Sequence, residues 1–215
     1  MSAAPAISVI IPVFDKADVL EAVIDAFAAQ DPMPDAEYIF VDDGSTDGSA
    51  ARLADLAPRL PGLRVIANSD NAGPSRRVNQ GAAAARGRLL CLLDADEIIA
   101  PDGLARMADL MAETGADFVH GKVARSDLAP RDIVPVPVGA APSYVVSDTP
   151  LATIAAGRGF VRMAWLVTAD LFRAAGGCDP RIFIQDESLP LRLAHHARRF
   201  VDLRAAVTTA SRLGG

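Results

Sequence analysis

Two clusters of carboxylates stand directly behind apolar runs in this chain, and they define the chemistry it could do. The run "LLCLL" (89–93) is followed by Asp94, Asp96 and Glu97, and "EYIFV" (37–41) by Asp42 and Asp43. Asp15 follows a third run, "ISVIIPVF" (7–14). Carboxylates brought together repel, and burying each is costly unless something compensates it. A divalent cation is the simplest compensation, and an all-oxygen ligand set suits Mg2+ or Mn2+ and not Zn2+. Each cluster alone is also what a turn or helix cap looks like. "DDGSTDGS" (42–49) by itself reads that way, with Asp47 and Ser49 as caps. Chemistry becomes the better reading only if both clusters share one edge of a sheet.

The elements that must position them supply that edge. Residues 7–14 are too apolar for a strand with one wet face and suit a parallel strand covered on both sides. Asp18 and Glu21 have capping-box spacing, and Leu20, Val23, Ile24 and Phe27 share one helical face. Strands follow at 37–41, 63–67 and 88–93, with helices to about Ala57 and Ala85 between them. This βαβαβαβ rhythm predicts a doubly wound, mostly parallel sheet with helices on both faces. In such a sheet the carboxyl ends of parallel strands share one edge, and ligands bind there. Asp15, Asp42, Asp43, Asp94, Asp96 and Glu97 all follow strands in this way.

The second half is less regular. A helix is expected over 101–114 and a strand over 116–124. Residues 125–150 carry five prolines and read as a long loop. A strand running into a helix is expected over 160–177, a helix over 186–200 with Pro190 in its first turn, and a last strand over 200–210. His120 should end a strand facing the cleft, and Trp165, the only tryptophan, either stacks on a sugar or is buried in the sheet. His195 and His196 read as surface residues. Gly73 and Gly81 suit a loop turn and close helix packing.

Composition narrows the classes. At 215 residues and 51% hydrophobic, the chain is long enough for one large α/β domain over 1–215, with halves meeting near residue 115. A net charge of −6 argues against sequence-independent nucleic-acid binding. Two cysteines make no disulfide framework and point to reduced thiols and a cytoplasmic setting. The opening "MSAAPAISVIIPVF" lacks a basic segment and does not read as a signal peptide. No stretch approaches the ~18 uncharged apolar residues of a membrane span. A membrane role would therefore be peripheral.

The motifs "SVIIPVFDKADVLEAVIDAFAAQ" (8–30), "EYIFVDDGSTDGS" (37–49), "NAGPSRRVNQGAAAARG" (71–87), "LLCLLDADEIIAPDGL" (89–104) and "GGCDPRIFIQDESLPLRLA" (176–194) resemble, in order and spacing, the family 2 glycosyltransferases of the GT-A fold. The resemblance covers about 1–200 and implies an inverting enzyme of polysaccharide biosynthesis. Such an enzyme moves a sugar from a nucleotide-sugar donor to a saccharide, lipid-linked or other hydroxyl acceptor, at the inner face of the membrane or free in the cytoplasm. It implies that Pro12 and Phe14 line the nucleobase pocket with Asp15 at its edge. Asp42 would bond the base, Asp43 would support that loop, Asp94 would contact the ribose or the metal shell, and Asp96 would be the direct ligand of the Mn2+ or Mg2+ that meets the diphosphate. It further implies that Asp186 is the catalytic base, with Glu187 the alternative. Several positions depart from the family pattern. Gln185 replaces the usual Glu, Ser188 stands where Asp is frequent, Val78 precedes Asn79 in place of Arg, and 205–211 lacks a histidine.

Two rival readings remain. One is a nucleotide-sugar-binding homologue or partner subunit without turnover. The other is a haloacid dehalogenase-like phosphatase, which also uses Asp-x-Asp after an apolar strand but opens with that motif. A dinucleotide oxidoreductase is disfavoured because no Gly-x-Gly-x-x-Gly follows the first strand.

Overall fold

The computed structural model describes residues 4–157, 163–182 and 188–212. Strand β1 (Ile7–Val13) is buried at every residue but Pro12. The reason is its place. It lies between β2 (Ala36–Asp42) and β4 (Leu89–Leu92) and parallel to both, so no face of it meets water. Strand β3 (Leu63–Ala67) pairs parallel with β2 at the sheet edge and is correspondingly half-exposed.

Alternation along these strands divides the core in two. Ile7, Val9, Ile11 and Val13 pack with Leu20, Ile24 and Phe27 of α1 (Leu20–Ala28), Leu53 of α2 (Ser49–Leu56), and Leu104 and Met107 of α4 (Gly103–Thr114). On the other face, Ile10, Leu90 and Leu92 pack with Val78 of α3 (Pro74–Ala84), Ile154 of α5 (Pro150–Ala155), Phe172 of α6 (Ala169–Ala174) and Leu193 of α7 (Leu189–His196). Helices therefore cover both faces, as expected. Each fully buried Val, Leu, Ile or Phe contributes about 1.5–3 kcal/mol of burial free energy. Helix α3 lies so close to the sheet that a Cβ on Gly81 would sit 2.6 Å from Ile10 Cγ2.

Beyond β4 the pairing changes. Strand β8 (Trp165–Thr168) runs antiparallel to β4, and β6 (Phe118–Ser126) antiparallel to β8. The long strand β9 (Phe200–Ser211) is parallel to β6 and takes β5 (Glu97–Ile99) and β7 (Tyr144–Ser147) antiparallel. The nine strands of the described residues form one mixed sheet whose parallel character lies mainly in β1–β4. Residues 125–150 are not structureless: β7 lies within them, and Asp102 receives the backbone N–H groups of Val138 and Gly139.

The Asp18–Glu21 capping box does not form. Helix α1 starts at Leu20 with Val19 as its N-cap and no side-chain cap, and Glu21 pairs instead with Arg52 and Arg59. Trp165 is buried, edge-on to Phe118, and is not a sugar platform. His195 and His196 are exposed at the end of α7, as expected.

At the amino edge of the sheet, opposite the acidic loops, Glu37 is 1% exposed. Burial alone would raise its carboxyl, but hydrogen bonds from the Ser8 hydroxyl, the Arg86 backbone N–H and the Arg64 and Arg86 side chains outweigh burial and hold it at about 2. A carboxylate depressed in the fold stabilises it fully above the unfolded value of about 4.3 and loses that contribution as pH falls through the folded value. Thermal stability should therefore drop between about pH 4.5 and pH 2, and the Glu37→Gln variant should show a shallower slope in that window.

Candidate active site

Strand register places the two acidic clusters at one edge. Val13 lies opposite Asp42, and Ile10 opposite Leu92. Leu93, one residue past β4, still donates its N–H to the Ile10 carbonyl, and Asp94 and Asp96 follow directly, so they leave the sheet at the same carboxyl edge as Asp42, with β1 between.

The loops that leave these strands are bonded to one another. Asp15, the single non-glycine residue at positive φ (49°) among the described residues, donates its N–H to Ser45 Oγ at 3.0 Å and accepts the Thr46 N–H on Oδ1 at 2.8 Å. The N–H of Lys16 goes to Ser49 Oγ at 2.8 Å and that of Ala17 to Asp47 Oδ2 at 2.9 Å. Neither Asp47 nor Ser49 is the N-cap of α2, which is Gly48 with no side-chain cap; the two bond each other and clamp the β1–α1 loop. Burial works against the Asp47 anion, yet the Ser49 hydroxyl and the N–H groups of Ala17 and Ser49 hold its carboxyl below the usual range. The third loop joins through Lys16, whose Nζ lies 2.9 Å from Asp96 Oδ2.

Asp42 is 2% exposed. Its Oδ2 accepts the Ser45 N–H at 3.3 Å, while its Oδ1 is buried without a hydrogen-bond partner. Native proteins rarely leave such an atom unsatisfied. Phe14, one residue past the Val13 that lies opposite Asp42, is by contrast 43% exposed, and Pro12 is half-buried. Asp43 accepts the N–H groups of Ala72 and Gly73 at 2.8 and 2.9 Å and Arg77 Nε at 2.6 Å. Burial disfavours the Arg77 cation, but Asp43 and Asp70 outweigh it and raise its pKa. Arg77 is thus committed to the protein's own carboxylates, and Arg76 is exposed.

Asp94 and Asp96 are half-buried just past β4. Glu97 belongs elsewhere: it opens β5, is 2% exposed, and accepts the Thr208 hydroxyl of β9 at 3.0 Å. Among the described residues no group of three or more His, Cys, Asp or Glu side chains is arranged to hold a metal ion.

On the other side of the edge, α3 holds the Gly-Gly loop. Asn79 donates to the Cys178 carbonyl at 2.9 Å and accepts the Cys178 N–H at 2.8 Å, and Ser75 Oγ donates to the Ile182 carbonyl. This loop leads to Asp186 and Glu187, which lie outside the described residues, as do Gln185, Arg158 and Arg162. His120 does not face open solvent as a contact residue would. It is 3% exposed, its Nδ1 lies 3.0 Å from Asp202 Oδ1, and Arg204 holds the other oxygen of Asp202 at 2.9 Å. The sequence reading missed Lys16, Asn79 and Asp202. The signals for the first two were a rare lysine in a strand-exit loop and an amide inside a recognisable motif. Nothing local marked Asp202.

Comparison with known proteins agrees with this architecture. The succinoglycan biosynthesis protein ExoO of Rhizobium meliloti is 34% identical over 114 residues, covering 53% of this chain and 32% of that protein. The poly(ribitol-phosphate) beta-glucosyltransferase of Bacillus spizizenii is 31% identical over 119 residues, covering 54% and 19%. Among solved structures, S. aureus TarS 1-349 in complex with UDP superposes with a TM-score of 0.78 at 20% identity, covering 95% of this chain and 60% of that one. The mannosyltransferase PcManGT from Pyrobaculum calidifontis, in complex with GDP-Man and Mn2+, gives 0.70 at 20%, covering 98% and 57%. The fold is that of GT-A glycosyltransferases, and the chain spans less than two thirds of each of these proteins. The profile of glycosyl transferase family 2 matches residues 8–161, and the chain belongs to that family.

Proposed function

We propose that the chain carries the donor site and catalytic base of an inverting glycosyltransferase that moves a sugar from a nucleoside diphosphate to an acceptor hydroxyl. The observation that carries this reading is the buried, unpartnered Oδ1 of Asp42 at the sheet edge that also bears Asp94 and Asp96. A nucleobase N–H would satisfy that oxygen. Pro12 and Phe14 would pack on the base with Asp15 at the rim, and Asp43 would keep the loop in place through Ala72, Gly73 and Arg77. The structural neighbours bound to UDP and to GDP-Man with Mn2+ support UDP- or GDP-sugars as donors. The glycan-building relatives support a saccharide or lipid-linked acceptor.

The carboxylates present fit a cation that arrives with its substrate. Mg2+ in such sites binds through one or two carboxylates and completes its shell with waters and phosphate oxygens. Asp96, with Asp94 beside it, offers that much and no more. When bound, the cation supplies neutralisation of the charge that develops on the departing diphosphate. Asp186 takes the acceptor proton from within about 3 Å, with Glu187 as the alternative. The new bond from the acceptor oxygen to the anomeric carbon forms as the bond to the phosphate oxygen breaks. The electron pair leaves with the nucleoside diphosphate and the configuration inverts.

Thermal shift against UDP, GDP and dTDP, with and without Mn2+, tests the donor site. At ~100 times Kd a ligand adds about 2.7 kcal/mol, which is about 5–10 °C in Tm for a chain of this size. At least one nucleotide should give such a shift, larger with Mn2+. Flat melting curves for all three would remove the reading.

A further inference from the structure

We propose that Lys16 is the donor site's own mobile cation: it neutralises Asp96 when no donor is present and moves to the donor diphosphate when a divalent ion takes Asp96. The inference rests on the donor-site reading above and adds to it a residue and a coupling.

The geometry is specific. Lys16 Nζ sits 2.9 Å from Asp96 Oδ2, with both side chains 29% exposed. The backbone beneath it is fixed by the N–H bonds of Asp15, Lys16 and Ala17 to Ser45, Ser49 and Asp47, and by its own carbonyl, which accepts from Val19 and Leu20. Only the flexible four-carbon stem can move. The sequence spends one of its two lysines here in a chain whose other cations are arginines. An ammonium is a compact point charge that can exchange one oxygen partner for another, whereas a guanidinium is suited to a fixed, forked contact. A half-exposed ion pair does little for stability, so fold maintenance is a poor account of it.

A consequence follows for metal binding. Lys16 occupies one oxygen of Asp96, and an ammonium and a divalent ion on one carboxylate repel each other. Metal binding at Asp96 therefore favours the departure of Lys16. Without a donor it leaves for water; with one, it gains phosphate oxygens at the same place. Metal and nucleotide should therefore strengthen each other's binding, and by linkage the factor is the same in both directions.

The test titrates Mn2+ by its EPR signal, alone and with UDP or GDP, against the unaltered chain, Lys16→Met and Lys16→Arg. With Lys16→Met, Mn2+ alone should bind about 2–5-fold tighter, because no competing cation remains on Asp96. The nucleotide in the presence of Mn2+ should bind about 5–20-fold weaker, as expected for one lost charge-assisted contact. Lys16→Arg should fall between. These opposite signs are what a merely structural lysine would not produce. If Lys16→Met melts like the unaltered chain and leaves either affinity unchanged, the proposal is wrong while the donor site stands. If the unaltered chain binds neither UDP nor GDP, the donor-site reading and this proposal both fail.

Discussion

Asp96→Ala should lower sugar transfer by about 10²–10³-fold, the cost of removing one electrostatic stabiliser of a transition state, and should leave the fold intact. The two halves of that expectation have different sources. Asp96 pairs only with Lys16 among the interactions seen for it, and the pair is partly open to water. Exposed pairs of this kind contribute about 0–1 kcal/mol, so the melting temperature should hold. The effect on rate comes from the leaving group. On the reading proposed above, a nucleoside diphosphate departs with charge on its terminal phosphate, and a cation held by Asp96 would neutralise it. The measurement is initial rate and nucleotide affinity with and without Mn2+. In the variant, Mn2+ should no longer improve nucleotide affinity. A variant that keeps both full turnover and the Mn2+ effect would show that Asp94, or another group, is the principal ligand.

Asp43 provides a useful contrast, since its two oxygens are taken by Ala72, Gly73 and Arg77. It is engaged in holding the loop, whereas Asp42 leaves Oδ1 without a partner among the described residues and Asp96 is held by Lys16. On the reading proposed above, these three acids from two motifs divide into a support, a donor contact and an exchangeable ligand. The division shows only in their partners.

Those partners also mark how far the sequence could be read. Strands β1, β2 and β4 announce themselves because a central parallel strand buries every residue, and unbroken apolar runs leave few alternatives. The acidic exit loops follow at once, so the site's edge was legible. Glu97 was not. It looks like a third member of the Asp94/Asp96 cluster, but it starts a three-residue strand whose partner, Thr208, is 111 residues away. His120 and Asp202 are separated by 82 residues, and Lys16 and Asp96 by 80. Periodicity carries no record of such pairings, because it reports which face a residue takes and not what lies across from it. The same limit hid the reversal at β8. Its four residues, Trp165–Thr168, would suit either direction, and the choice is made by pairing with Leu89–Leu92 and Phe118–His120.

Asp186→Asn should reduce kcat by about 10²–10⁴-fold, the usual worth of a positioned general base, with nucleotide affinity changed by no more than about twofold. Asn keeps the size of the side chain and removes only its ability to take a proton. In sequence Asp186 precedes α7 (Leu189–His196), and it lies outside the described residues. Asn79 and Ser75 tie the loop before it to α3, the same helix whose Arg77 braces the Asp43 loop. On the reading proposed above, acceptor and donor sides would both be referenced to α3, which is what holding two reactants in line requires. Glu187→Gln is the paired measurement. If it carries the large loss and Asp186→Asn does not, the base is Glu187. Slow donor hydrolysis that disappears in Asp186→Asn would separate a working transferase from a nucleotide-sugar-binding homologue without turnover. Equal rates in both variants and the unaltered chain would remove proton abstraction by this segment altogether.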